Sequence, residues 1–353
     1  MQKQRIPVGV LGATGMVGQR FIEMLQGHPW FELVALAASD LHGGRPYAEA
    51  TRWRLDGELP SSVAGLPVVA CRPAELPAVK IVFSALPGEI AGEIEAEFAR
   101  AGVAVFSNAK NYRMDPEVPL VVPEVNADHM QVLVRQRRAK GWSGSIVTNA
   151  NCSATPLVMA LKPLQQAFGL RKALVTTLQA ISGAGYPGLP SYDILDNAIP
   201  YIGGEEEKLE RETLKMLGEW RAGEGFRDAP LVVSAHCNRI ATREGHLECA
   251  SIELERSTSA EEILAAWEQY TPAPQRLKLP SAPERPLIYR PESDRPQTLR
   301  DRDAGRGMSV TLGRLRPCPI LSYKFVALGH NTIRGAAGGS ILNAELCVSQ
   351  GLI

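Results

Sequence analysis

The stretch Thr148-Asn149-Ala150-Asn151-Cys152-Ser153-Ala154-Thr155-Pro156 carries residue types suited to covalent chemistry. Ser145–Thr148 reads as a strand end, and Pro156 suits the first turn of a following helix, where its missing N–H is no loss. Cys152 is thereby expected at a helix N-terminus, where the dipole and backbone N–H groups favour a thiolate. The same N–H groups would stabilise an oxyanion formed on a substrate carbonyl. Cys71, Cys237, Cys249, Cys318 and Cys347 read instead as small buried hydrophobes. No two cysteines have CxxC spacing, so free thiols in a reducing compartment are expected, with no disulfide framework and no zinc site.

A cysteine nucleophile needs a proton partner, and six histidines are available. His28, His42 and His129 lie in turns or on a solvated face of the N-terminal half and read as structural, and His330 sits near the final turn. His236 and His246 remain. The segment Arg239-Ile-Ala-Thr-Arg243-Glu-Gly-His246 puts a histidine behind a glycine at the entrance of an apolar strand. The pattern alone leaves structural and catalytic readings of His246 equally open.

A second chemical feature is Gly12-Ala-Thr-Gly15-Met-Val-Gly18. Glycines between a strand and a helix let the backbone approach a pyrophosphate, while the helix start offers N–H groups and the positive dipole end. The spacing, GxxGxxG, is one residue longer than the usual dinucleotide fingerprint. The next strand ends in Ala37-Ala38-Ser39-Asp40. Ser39, with His42 and Arg45, suits the 2′-phosphate of NADP, whereas Asp40 keeps NAD open through the ribose hydroxyls.

The elements that must position these residues follow from apolar periodicity. Ile6–Leu11, Leu33–Leu36, Lys80–Ala85 and Val103–Phe106 read as buried strands alternating with helices, one of them Gly88–Arg100. That alternation predicts a doubly wound parallel sheet, and continuously apolar strands fit a sheet covered on both faces. From about residue 150 the texture changes. After a helix Ser153–Phe168 come strand-like runs at Leu174–Leu178, Leu231–Cys237, Leu247–Leu254, Ser309–Arg316 and Tyr323–Leu328. Helices are expected at Glu205–Trp220 and Ala260–Tyr270. The fold class is therefore α/β: a Rossmann-type sheet followed by an α+β mixed-sheet domain. The Pro- and Arg-rich residues 280–306 read as a solvated excursion or a subunit contact. A final helix opens near Gly335, with Ile341, Leu342 and Leu346 as its apolar face.

The composition fits this scheme. A chain of 353 residues accommodates two domains, and 45% hydrophobic with 22% charged residues is ordinary for a globular protein. Lys+Arg and Asp+Glu both number 38, so no basic excess points to nucleic acid or an anionic membrane surface. No apolar run nears the roughly 20 residues of a membrane span, and the N-terminus lacks a signal-peptide pattern, so a cytoplasmic protein is expected.

Taken together, these segments resemble the aspartate-semialdehyde dehydrogenase family over nearly the whole chain. The resemblance rests on GATGMVG (12–18), SNAKNYRM (107–114), NANCSATP (149–156), LQAISGAGYPG (178–188), IPYIGGEEEKLERET (199–213), the Arg239 and His246 pair, and HNTIRGAAGGSILNAEL (330–346). The wording is nearest the archaeal and fungal-like branch. It implies NADPH-dependent reduction of L-aspartyl 4-phosphate to the semialdehyde through a Cys152 thioester, in the lysine, threonine and methionine branch of biosynthesis. Cys152 would be the nucleophile, His246 the acid/base, and Gln179 would orient the acyl group. Arg239 would hold the α-carboxylate, Glu205 the α-ammonium, and Lys208, Arg113 and Asn111 the phosphate, with Asn151 helping to hold the carbonyl. Gly12, Thr14, Gly15, Met16, Val17, Ser39, Ser84, Ser182, Gly183 and Asn331 would line the NADP site. The position within Glu205-Glu206-Glu207-Lys208 rests on aligning an E-x-x-K spacing. Residues 1–150, completed by a C-terminal helix 333–353, would form the NADP-binding domain, and 151–332 the catalytic and dimerisation domain of a homodimer or homotetramer.

Other readings belong to the same architecture or to none of its chemistry. N-acetyl-glutamyl phosphate reductases share the loop and the cysteine, but their acylated nitrogen gains little from an anion such as Glu205. Malonyl-CoA reductase on this scaffold also handles a substrate without an ammonium. A non-catalytic NADP-binding regulator would be expected to have lost Cys152, His246 or Arg239, and all three are present.

Overall fold

The computed structural model describes Arg5–Ser39 and Gly43–Ile353. It divides into two compact units, one from the described residues up to Val121 with Asp128–Asn149 and Ala336–Ile353, the other from Val122–Ala127 and Ala150–Gly335.

In the first unit the apolar runs become β1 (Ile6–Leu11), β2 (Phe31–Ala38), β3 (Val68–Ala70), β4 (Ile81–Ser84), β5 (Ala104–Ser107), β6 (Leu120–Val121) and β7 (Ser145–Asn149). All pair in parallel, in the order β3-β2-β1-β4-β5-β7-β6. Val8, Val10, Ile81, Val82 and Phe83 are fully buried, as a sheet covered on both faces requires. Helix α1 (Met16–Met24) follows β1 and stacks Phe21 on Phe83 with ring centroids 5.1 Å apart. Helix α2 (Gly88–Arg100) follows β4. Strand order reverses between β1 and β4, the crevice where such sheets bind nucleotides. The C-terminal helix, Gly338–Ser349, belongs to this unit and is buried all round through Cys347.

The second unit is built on a mixed sheet. Its strands are β8 (Leu170–Gln179), β9 (Ala198–Ile199), β12 (Val232–Ile240), β13 (His246–Leu254), β14 (Leu287–Arg290), β15 (Val310–Pro317) and β16 (Tyr323–Gly329), ordered β14-β15-β16-β13-β8-β12-β9. A separate hairpin pairs β10 (Glu219–Arg221) with β11 (Gly225–Arg227). Helices α3 (Ala154–Phe168) and α4 (Glu205–Leu217) pack together, α4 against β12 and α3 against β13 and β16. Alternation along the strands turns Thr177, Gln179, Cys237, Arg239, His246 and Glu248 inward. Register does the rest: Gln179 pairs with Arg239, and Leu178 with Leu247, so Gln179, Arg239 and His246 meet at one end of one face.

Three expectations change. The helix expected to reach Trp220 stops at Leu217, because Gly218 packs so closely that a Cβ there would lie 2.2 Å from the Arg227 carbonyl oxygen. The 280–306 segment is not merely solvated, since it adds β14 as a parallel edge strand beside β15. It also buries Asp301, whose charge is met by Arg295 and by Arg290 at 3.4 Å. Finally, Cys249 is an exposed thiol on the outward face of β13, and Cys318 is half-buried, so neither is a buried hydrophobe. No helix among the described residues is long and apolar enough to cross a membrane.

Candidate active site

In the first unit the glycine loop leaves room only for backbone. Gly12 has φ +75°, and a Cβ on it would lie 2.7 Å from the Ala85 carbonyl oxygen. A Cβ on Gly18 would lie 2.1 Å from the Gly12 carbonyl oxygen, so this glycine is what lets α1 start directly beneath β1. Around Gly15, by contrast, the nearest atom to such a Cβ is 3.5 Å away, leaving an open approach. The start of α1, at Met16 and Val17, carries no side-chain cap and no acidic residue in its first turn. An anion can therefore use that N-terminus.

A cavity of about 530 Å³ opens beside the ends of β2 and β3, lined by Ala38, Ser39, Arg72, Leu86, Glu89 and Ile90 among others. Sequence reasoning missed Arg72; its position two residues past a strand end was the available signal. Asp40 and His42 lie outside the described residues. Arg45 donates to the Glu49 carbonyl oxygen at 2.9 Å. Ser84 is fully buried, and its carbonyl oxygen accepts from the Asn108 side chain at 3.1 Å. Asn111 and Arg113 also belong to this unit. Asn111 donates to the Gly88 carbonyl oxygen at 2.9 Å, and Arg113 to that of Asn108 at 2.7 Å. Burial raises the nearby Glu95 carboxyl, against hydrogen bonds from Ser84 and Ser107 and the charge of Arg113.

The second unit assembles the thiol site. Cys152 sits two residues before α3, and its Sγ lies 3.2 Å from Nε2 of His246. His246 is fully buried, and its Nδ1 accepts the backbone N–H of Ala180 at 3.1 Å. Burial pushes the imidazole down to about 3. The Arg239 and His330 charges act in the same direction, while Glu205 and the Gly245 backbone oppose it. Arg239 donates through Nη1 to the Ala180 carbonyl oxygen at 2.7 Å, and its guanidinium also interacts electrostatically with Cys152 and Glu205. Gly183 and Gly335 are close-approach positions. A Cβ on Gly183 would lie 2.8 Å from Arg239 Nη1, and one on Gly335 would lie 2.7 Å from the Cys152 Cβ. Asn331 accepts from Gly245 N and donates to Ser182 Oγ, both at 2.8 Å, tying the 330–335 turn to the histidine segment.

Asn151 is committed differently from the sequence expectation. Its Oδ1 accepts the N–H groups of Ser153 at 2.8 Å and Ala154 at 3.2 Å. Its Nδ2 donates to Glu205 Oε1 at 2.8 Å. The N–H groups expected to hold an oxyanion at the helix start are thus capped from within the chain, and the side chain expected at the carbonyl is the cap. Gln179 donates to Ser153 Oγ at 2.9 Å and Thr177 Oγ1 at 3.2 Å.

Of the three glutamates opening α4, Glu205 is the one turned toward the cysteine segment. Glu206 accepts from Cys237 N at 3.0 Å, and Glu207 is exposed. Burial opposes ionisation of Glu205, but the Asn151 hydrogen bond and the Lys208 charge outweigh it and hold the carboxyl below its ordinary value. Lys208 approaches Glu205 Oε2 at 3.3 Å and keeps a third of its side chain in solvent. Further along the helix, Glu212 was not anticipated, although its i+7 spacing from Glu205 put it on the same helix face. Two histidines read as lying in turns or on a solvated face are instead buried. His28 Nε2 is 2.8 Å from Glu345, and His129 is fully enclosed.

A half-buried cysteine paired with a buried histidine, with a cation, an anion and a partly solvated lysine around them, can bind a small zwitterionic acyl donor and be acylated by it. Known proteins resemble the chain over nearly its whole length. Residues 7–133 match the family description "Semialdehyde dehydrogenase, NAD binding domain", and 161–334 match "Semialdehyde dehydrogenase, dimerisation domain". The aspartate-semialdehyde dehydrogenase of Archaeoglobus fulgidus is 50% identical over 99% of this chain and 100% of its own length. That of Schizosaccharomyces pombe is 47% identical over 98% of this chain and 99% of its own. The crystal structure of the Candida albicans enzyme with NADP superposes with a TM-score of 0.91 at 43% identity, over 99% of this chain and 100% of that one. On a match this long, to archaeal and fungal relatives alike, the chain belongs to the aspartate-semialdehyde dehydrogenase family.

Proposed function

We propose that this protein is a cytoplasmic enzyme that reduces L-aspartyl 4-phosphate to L-aspartate 4-semialdehyde with NADPH, through a thioester on Cys152, in the branch leading to lysine, threonine and methionine. The observation that carries this reading is the 3.2 Å approach of Cys152 Sγ to His246 Nε2, framed by Arg239, Glu205 and Lys208. These three match the substrate charge by charge. Arg239, a planar donor, takes the α-carboxylate, Glu205 the α-ammonium and Lys208 the phosphoryl group.

The Cys152 sulfur attacks the C4 carbonyl and phosphate departs, leaving an acyl thioester. The hydride that reduces this acyl group would come from NADPH held at the glycine loop. Gln179 keeps Ser153, and so the cysteine turn, in place throughout. His246 Nε2 faces the sulfur during both attack and departure. For the cofactor itself, the open Gly15 approach and the uncapped start of α1 fit a pyrophosphate. Ser39 and Arg72 on the neighbouring cavity wall suit a 2′-phosphate, supporting NADP over NAD. The Candida relative, whose structure contains NADP, points the same way.

A homodimer or homotetramer is part of the proposal. The outward face of the mixed sheet leaves Leu174 46% and Val232 64% exposed, with Cys249 between β8 and β16, as a face awaiting a second copy would.

The test is to supply L-aspartate semialdehyde, phosphate and NADP and follow NADPH formation by the wild type and Cys152→Ala. Turnover by the wild type alone is expected. A silent wild type refutes the substrate, and equal rates refute the covalent step. Malonyl-CoA with NADPH is the control for the rival that lacks an ammonium.

A further inference from the structure

Helix α2 carries different contacts on its two sides. Helical periodicity puts Gly88, Gly92 and Glu95 on one face, and Glu89, Ile90, Glu93 and Glu97 on the other. The second set lines the cavity that also holds Ser39 and Arg72. The first set is met by the loop that leaves β5. Asn111 donates through Nδ2 to the Gly88 carbonyl oxygen at 2.9 Å, and Tyr112 donates to that of Gly92 at 2.6 Å. Ser107 Oγ donates to Glu95 Oε1 at 2.7 Å and accepts the Ala109 N–H at 3.1 Å. Arg113 closes the loop on the Asn108 carbonyl oxygen at 2.7 Å, and its charge acts on the Glu95 carboxyl. Gly92 lies inside the helix with ordinary right-handed backbone. Glycine is less favourable there than alanine, so the helix itself gains nothing from it. What the missing side chain provides is room, since a Cβ would lie 3.0 Å from Asn111 Nδ2. Glu95 is a second costly choice, a fully buried carboxyl among the alanines and Phe98 of the same helix.

Resting on the reading of Asn111 and Arg113 as phosphate ligands, we propose that Gly92 and Glu95 are positioning residues of the phosphate subsite. Helix α2 sets the phosphate-binding loop with one face and borders the cofactor cavity with the other. Gly92 admits the Asn111 side chain to the helix surface, where the Gly88 carbonyl oxygen fixes it. An asparagine amide has two N–H donors, so that bond orients the group and leaves the second N–H to an anion. Glu95 fixes the start of the loop through Ser107, and with it the turn on which Arg113 closes. Neither residue touches substrate, and no proton or bond changes hands at either.

Inorganic phosphate is the probe, used with the intact protein. In the oxidative direction Gly92→Ala should raise KM for phosphate about 10-fold, the scale of one hydrogen bond to a charged group. KM for the semialdehyde and for NADP should stay as they are, and the melting temperature should not fall, because alanine is the better helix residue. Glu95→Ala should raise the phosphate KM likewise, and Glu95→Gln, which keeps an acceptor for Ser107, should restore it. Calorimetric titration of the same proteins with inorganic phosphate gives these ratios without turnover, so a failure of the substrate assignment leaves the test intact. Arg113→Ala separates the two levels of the reading. If it weakens phosphate binding while Gly92→Ala and Glu95→Ala do not, the positioning role is overturned and the subsite stands. If it leaves phosphate binding unchanged, the subsite falls and the proposal with it. A parallel rise in all three KM values in Gly92→Ala marks a general distortion and overturns the proposal too.

Discussion

Glu212 Oε2 accepts the backbone N–H of Asn151 at 2.7 Å, which ties the helix bearing Glu205 and Lys208 directly to the nucleophile turn. Glu205 makes the second tie, through the Asn151 and Ser153 side chains. Substrate-binding helix and cysteine turn are therefore one unit held by two carboxylates. Glu212 is 2% exposed, so its removal strands a buried N–H.

Glu212→Ala is accordingly expected to lower stability by about 1–3 kcal/mol and to slow Cys152 alkylation, because the turn is no longer held. Glu212→Gln retains an acceptor oxygen and should restore most of both. Urea unfolding midpoints and thiol alkylation rates check the pair of variants, and identical behaviour of Ala and Gln would remove the hydrogen bond from the account.

Gly335 gives a sharper probe of the nucleophile. An added Cβ would lie 2.7 Å from the Cys152 Cβ and 2.8 Å from its Cα, and a backbone atom cannot yield as a flexible side chain can. Gly335→Ala should displace the sulfur from His246 and cut kcat by about 100-fold, the scale of a misplacement near 1 Å. KM should change little, since Arg239 and Glu205 lie outside the clash. Steady-state kinetics on a variant with native circular dichroism decides it.

How much of this was legible beforehand depended on whether local sequence set the outcome. The glycine loop and β1 were readable because close approach of α1 forces glycine, whatever the rest of the chain does. Cys152 at a helix start was readable from Pro156 and the preceding strand. Capping by Asn151 was not, because an asparagine there equally suits a carbonyl, and only the fold decides which donors come near. The 280–306 segment misled for a related reason. Its alternating charge suggests solvent, yet Arg290 and Arg295 are placed to neutralise a buried Asp301, a pairing that only tertiary contact reveals. Arg72 lay in a plain spacing relation but in no motif, and Glu212, though inside the 199–213 segment, drew no role from it because only the fold brings it to the Asn151 N–H.

The depressed His246 pKa makes a prediction about stability and pH. Folded, the ring ionises at about 3 instead of the usual 6.5, so below 6.5 the unfolded chain binds a proton the native state refuses. Its contribution is full above 6.5 and is lost as pH falls, with a slope approaching about 1.4 kcal/mol per pH unit, as a difference of one bound proton requires. Glu205, also held low, adds a loss in the same direction only below its usual 4.5. Between these limits the wild type should lose about 2 kcal/mol more than His246→Gln. Denaturant titrations at the two ends of that window measure it, and parallel slopes would refute the neutral buried ring.

Glu248 provides the opposite sign. It lies two residues from His246 on the same inward face of β13, fully buried, with neither carboxyl oxygen hydrogen-bonded. Burial holds its carboxyl well above the ordinary range, so the native state keeps a proton that the unfolded chain releases. Stability from this group is present at low pH and declines as pH rises above 4.5, the usual carboxyl value. Glu248→Met, of similar volume and without the two unsatisfied oxygens, should stabilise the protein near neutral pH by about 1–3 kcal/mol. It should also flatten the decline toward alkaline pH. Unfolding midpoints of both proteins at acidic and mildly alkaline pH test this together with turnover. A destabilised Met variant would mean that the carboxyl supports the fold, whereas a stable but inactive one would place Glu248 in service of the neighbouring histidine.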